Sequence, residues 1–159
     1  MATWQQMSHS EPGFTDQVRR LLEARVHKTI ATLRADGSPR ISGIETFFAG
    51  DDLWIGSMPN AVKARDLQRD PRYALHSGSS DPPDWEGDAK LAGRAEEISD
   101  PDARLAIFRT RGTDPPSADS HLFRLEILEA SVVGLNAAAD RLVIEMWRPG
   151  QTVRRVERT

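Results

Sequence analysis

Residues 40–72 read RISGIETFFAGDDLWIGSMPNAVKARDLQRDPR, and the chain is best understood outward from them. RISGIETFF (40–48) is rich in β-branched and aromatic residues, Ala49-Gly50-Asp51-Asp52 is a turn, and LWIGSM (53–58) is a second strand. Asn60 is a good helix N-cap, and Pro71 disfavours helical geometry at Asp70, which predicts a helix over roughly 61–69. Lys63 then falls in the first turn, where unpaired N–H groups and the positive end of the helix dipole already sit. A cation there costs about 0.3–1 kcal/mol, an arrangement that makes sense if an anion such as a phosphate occupies that helix end. Arg40, at the head of the hairpin, is placed to add a forked contact. The competing reading is that Lys63 pairs with Asp66 or points into water.

Upstream of this stretch, Phe14, Val18, Leu21, Leu22 and Val26 recur at helical spacing and predict an amphipathic helix over 14–26. KTIATLR (28–34) is a strand, joined through the hairpin signal Asp36-Gly37 to the strand at 40–48. Downstream, RYALHSG (72–78) and KLAGRAEEI (90–98) read as strands flanking the polar loop 79–88. Asp100 opens a short helix, roughly 101–110, expected to bury Leu105 and Phe108, and a second polar loop spans 110–120. HLFRLEILEASVVGLN (121–136) carries the longest strand signal. RLVIEMW (141–147) makes a hairpin with it, and TVRRVER (152–158) reads as an arginine-blunted edge strand.

Six to eight strands at hairpin spacing, with two or three short helices, predict a mainly β, closed or nearly closed antiparallel barrel, not a βαβ fold. The 159 residues are enough for one domain with a real core, expected over 14–159 behind a loose polar tail at 1–13. That tail lacks the apolar run of a secretory signal, and no segment has the composition of a membrane span, so a cytoplasmic protein is expected. A net charge of −3 argues against a general nucleic-acid binder. Cysteine is absent, which removes disulfides, thiol nucleophiles and cysteine metal sites.

The catalytic inventory is sparse. His9, His27, His76 and His121 are scattered without metal-ligand spacing, and no metal is expected. Neither a nucleophile elbow nor a glycine-rich dinucleotide fingerprint or P-loop is present. Glu96 and Glu97 point to opposite faces of one strand, so they are no acid/base pair. Such a chain can still catalyse a reaction if a cofactor supplies the chemistry.

Lys63-Ala64-Arg65-Asp66-Leu67-Gln68-Arg69-Asp70-Pro71-Arg72, behind Arg40 on a hairpin, resembles the signature of the pyridoxamine 5′-phosphate oxidase-like split-barrel superfamily. The tail Ile144-Glu145-Met146-Trp147-Arg148-Pro149-Gly150, followed by Arg154 and Arg158, is similar to the end of the oxidase itself. The resemblance covers about 14–158. It implies a split barrel that binds FMN, or in a related branch the deazaflavin coenzyme, at a homodimer interface and passes hydride to or from a small organic substrate.

The resemblance also implies residue roles. Arg40 and Lys63 would hold the cofactor phosphate, and Ile41 and Ser42 would lie along the ribityl chain or ring. Ile55, Gly56 and Ser57 would line the isoalloxazine, with Trp147 and Arg158 approaching from the second subunit. Two departures stand out. Val62 occupies the place of a second phosphate-binding arginine, and Val156 replaces the histidine expected near Arg154 for the pyridoxal phosphate substrate. The resemblance names no catalytic residue, and a non-catalytic flavin-binding or sensor module is the alternative of another class. Loops 79–88 and 110–120 are expected to shape the mouth of the site, with Trp85 either stacking on a substrate or packing under its loop.

Overall fold

A computed structural model describes residues 1–112 and 117–159 of the chain. Eight strands are formed: β1 (His27–Leu33), β2 (Pro39–Ala49), β3 (Asp52–Ser57), β4 (Arg72–His76), β5 (Asp88–Glu97), β6 (His121–Leu135), β7 (Leu142–Trp147) and β8 (Arg154–Arg158). Four helices accompany them: α1 (Trp4–Ser10), α2 (Pro12–Glu23), α3 (Val62–Arg69) and α4 (Pro101–Thr110). The sheet order is β3-β2-β1-β4-β5-β6-β7-β8, and β3 also pairs with β6. That pairing closes β1 to β6 into a six-stranded barrel and leaves β7 and β8 as an antiparallel extension of β6.

Local chemistry accounts for the connections. Gly37 takes φ +83° at the β1–β2 turn, and Asp36 accepts from the Ser38 N–H, so the Asp-Gly pair makes the reversal as its sequence suggests. Gly93 sits where the β5–β6 register shifts, and a Cβ there would lie 1.8 Å from the Glu126 carbonyl oxygen. No side chain fits at that bulge.

Alternation sends Ile30, Ile44, Leu53, Ile55, Leu75, Leu91, Phe123, Leu125 and Ile127 into the barrel interior. A separate apolar cluster of Phe47, Ala49, Trp54, Phe108 and Leu122 lies on the other face of β2, β3 and β6, beneath α4. Phe108 anchors α4 there as expected, whereas Leu105 is only half-buried.

Residues 1–13 correct the sequence reading, because they are not a loose tail. Thr3 and Gln6 form a reciprocal capping box at the start of α1, Trp4 and Met7 are buried, and Ala2 bridges to Ile127 of β6. The polar composition hid this, because two large buried side chains among the first seven residues are too few to make a periodic signal. With α1 included there are four helices among the described residues, one more than the upper expectation. No helix among the described residues is long and apolar enough to cross a membrane.

Candidate functional site

The site is organised by α3. Its N-cap position is Ala61, not Asn60, and no side chain caps the first turn. Asn60 instead adopts φ +61°, and its Oδ1 accepts from Arg65 Nη2. Ala64 N–H closes on the Ala61 carbonyl oxygen at 3.0 Å, which leaves the Val62 and Lys63 N–H groups for another acceptor.

The helix is pinned to the barrel through Asp66, which is only 2% exposed. Its Oδ2 accepts from Thr32 Oγ1 at 2.9 Å and from Arg40 Nε at 2.6 Å, and its Oδ1 accepts from Arg69 Nη2 at 2.9 Å. Thr32 and Arg40 are register partners on β1 and β2, so one carboxylate ties two strands to the helix. Burial pushes the Asp66 carboxyl up, but these three donors outweigh it and hold it below its ordinary value.

Lys63 neither pairs with Asp66 nor points into water. Its Nζ crosses to β2 and donates to the Gly43 carbonyl oxygen at 2.7 Å. Burial lowers the Lys63 pKa, as expected for an ammonium without a carboxylate partner.

Lys63 lines a cavity of about 480 Å³. Gly43, Ile44 and Glu45 of β2 form one wall and Gly56 and Ser57 of β3 another, with Phe108 and Arg111 of the α4 segment covering it. The volume is within the usual range for small-molecule sites. Ser57 Oγ is buried with no hydrogen-bond partner among the described residues. At Gly56 a Cβ would touch the Phe108 ring at 3.4 Å, so a larger residue would fill the gap between strand and helix. A desolvated ammonium and an uncapped helix start face one space, donors that suit an anion such as a phosphate monoester.

Of the nine residues proposed from sequence, the structure brings Gly56, Ser57 and Lys63 together in this cavity. Arg40 is not among its lining residues, being committed to Asp66. Ile55 is fully buried in the barrel core. Ile41 is 75% exposed and belongs to a different, shallow groove of about 320 Å³ beside Thr29, Ala31, Ala74 and Leu91. Ser42 is half-buried and lines neither space.

Trp147 is 2% exposed inside its own barrel's core, its indole N–H without a partner among the described residues. Arg158 is exposed on the edge strand β8, opposite Leu142.

Sequence reading missed His27, Glu45, Phe108 and Arg111 as lining residues. Arg111 Nη2 donates to Glu45 Oε2 at 3.3 Å, and its guanidinium lies 4.8 Å above the Phe47 ring. These contacts join residues 64 and 66 positions apart, so no local pattern announces them.

Loop 79–88 lies apart from this cavity. Arg25 bonds Ser80, Arg20 bonds Glu86, and Trp85 donates to Asp88 Oδ1 at 3.0 Å, which ties the loop to α2 and to its own stem. In the second loop, residues 113–116 lie outside the described residues, and Arg111 is its one contribution to the cavity among the described ones.

Comparison with known proteins identifies the class. Residues 14–134 match the family model described as pyridoxamine 5′-phosphate oxidase, so the chain belongs to that family. No curated protein matches the chain.

Among solved structures, it is similar to a pyridoxamine 5′-phosphate oxidase-related, FMN-binding protein from Nostoc punctiforme. That match has a TM-score of 0.63 and 13% identity over 92% of this chain and 96% of that one. PhzG from Burkholderia lata, solved with tetrahydrophenazine-1-carboxylic acid, matches at TM-score 0.62 and 15% identity over 94% and 93% of the two chains. An F420 reductase matches at TM-score 0.54 and 22% identity over 70% and 94%. At these identities the likeness establishes the split-barrel fold.

Proposed function

We propose that this chain is an oxidoreductase that binds FMN at the interface of a homodimer and passes hydride to or from a small organic substrate. The observation that carries the reading is the convergence of Lys63 Nζ and the uncapped start of α3 on one cavity. Membership of a family with FMN-binding members in the same fold supports it.

The phosphate would take Lys63 Nζ and the Val62 and Lys63 N–H groups at the start of α3, with the rest of the molecule lying along the Gly56–Ser57 stretch of β3. When bound, the flavin ring supplies the hydride chemistry, and the protein's part is to bind, orient and exclude water. The dimer reading is supported by exposed Ile41 on the apolar outer groove of β1, β4 and β5, a surface that a second copy would cover.

A second reading replaces FMN with the deazaflavin coenzyme, favoured by the likeness to an F420 reductase. The test is the absorption spectrum of the purified protein, with mass identification of whatever denaturation releases. Flavin bands and released FMN support the first reading. A colourless protein that binds added deazaflavin reverses the order. Bound flavin that no nicotinamide donor reduces anaerobically leaves a binding module.

A further inference from the structure

One charged pair stands in the lining of the cavity with no part yet in holding a ligand. Arg111, just past the end of α4, donates through Nη2 to Glu45 Oε2 on β2 at 3.3 Å. Both side chains are partly exposed and line the cavity of about 480 Å³. They also line a neighbouring cleft of about 270 Å³ beside Lys28 and Phe47, so a ligand reaches the pair from open space on either side.

The two groups do not saturate each other. A guanidinium carries five N–H donors and a carboxylate accepts on both oxygens, and the contact between them uses one N–H and one oxygen. Glu45 Oε1 has no hydrogen bond among the described residues, and His27 Nδ1 stands 3.9 Å from it, outside hydrogen-bond reach. An open acceptor therefore lies beside open donors.

Charge decides what can use them. Among the described lining residues the permanent charges are Lys63, Arg111 and Glu45. A phosphate monoester held at Lys63 brings a charge of about −1.5 to −2, which outweighs that lysine, and Glu45 cancels Arg111. The loaded cavity is neutral to negative, and a second anion meets repulsion in it. A neutral group with an N–H beside a C=O meets none. Its N–H donates to Glu45 Oε1, and its oxygen accepts from Arg111. A carboxamide has this pattern.

Resting on the reading of this cavity as an FMN site, we infer that Glu45 and Arg111 together determine the specificity for the second ligand, admitting a neutral carboxamide-bearing molecule and turning away a carboxylate. Glu45 is the selecting group. Without its charge, Arg111 becomes an uncompensated guanidinium, which favours an anion.

The test compares benzamide with benzoate, probes of nearly one shape that differ in charge, on the FMN-loaded protein. Binding is read by saturation-transfer NMR and by the shift of the flavin absorption bands, so no turnover is needed. The wild type is expected to bind benzamide more tightly than benzoate. Glu45→Gln is expected to raise benzoate affinity roughly fivefold or more, the scale of one partly screened charge contact, with benzamide little changed. Arg111→Gln is expected to weaken both probes, benzoate the more. If the pair were only a strap between β2 and α4, Glu45→Gln would move both probes alike. Should one variant fail to fold, the other carries the comparison.

A loaded wild type that prefers benzoate, or a preference that Glu45→Gln leaves unchanged, overturns the inference while the FMN reading stands. Binding of neither probe overturns it as well. A protein that takes up no FMN overturns the reading of the cavity and this inference with it.

Discussion

Arg40 Nε and Asp66 Oδ2 lie 2.6 Å apart, and this pair joins the hairpin strand β2 to the underside of the helix that carries Lys63. The two cations of the sequence signature thus divide the labour. Arg40 holds the helix in place, and Lys63, one turn before Asp66, reaches the cavity wall at Gly43. A lysine in the first turn costs little once an anion compensates it, whereas a buried aspartate demands its arginines at all times.

Asp66→Asn is expected to destabilise the fold by about 2–3 kcal/mol, less than for a fully buried pair because Arg69 is partly exposed. The folded carboxyl titrates below its ordinary value, so the unfolded chain takes up the proton first as pH falls. The stability Asp66 contributes is present above the unfolded pKa and is lost as pH drops through the folded one. Thermal melts of both proteins from neutral to acid pH should converge. Parallel curves would show that the carboxylate contributes nothing.

Lys63→Ala should weaken FMN binding by about 1.5–3 kcal/mol, the range for hydrogen bonds to charged groups, with the melting temperature little changed. Arg40→Met should do the reverse, lowering the melting temperature while the folded fraction binds with nearly wild-type affinity. Titration and calorimetry of the pair separate ligand from scaffold, and an unchanged Kd for Lys63→Ala moves the phosphate elsewhere.

Trp147 is buried against its own barrel, so Trp147→Ala should cost about 3–5 kcal/mol of stability, as for other large aromatic truncations. Trp147→Phe, which also removes the unpartnered indole N–H, should be far milder and leave flavin affinity unchanged. A flavin fluorescence or affinity change in the folded Trp147→Phe protein would instead place this side chain against the ring.

Gly93→Ala should be among the most damaging single-methyl additions, because the new Cβ would meet the Glu126 carbonyl oxygen at 1.8 Å. Overpacking typically costs about 1–3 kcal/mol, and a rigid backbone obstacle puts this site at or beyond the upper end. Chemical denaturation of Gly93→Ala beside Gly43→Ala, where a Cβ meets nothing within 4 Å, checks it.

Strand and helix positions were legible from local pattern almost throughout. The Asp36-Gly37 turn, the alternation of β6 and the Pro71 stop of α3 each depend on residues within one element, so period and turn chemistry suffice to read them. Barrel closure by β3 and β6, the burial of Trp4 and Met7, and the burial of Trp147 involve partners far apart in the chain and leave no local trace. The site divides in the same way. Lys63 announced itself through helix electrostatics, and Gly56 and Ser57 through the family resemblance, while Arg111 and Glu45 meet only once α4 folds over β2.

The amino-acid sequence on its own determined an antiparallel barrel and a cation at the start of a short helix, because periodicity, turn residues and helix polarity act over a few residues. Which cation faces the cavity, and which is consumed as a strut, was decided by tertiary structure. One buried carboxylate selects its partners by proximity across strands, and in the folded chain Asp66 took Arg40 while Lys63 reached the Gly43 carbonyl oxygen at the cavity wall.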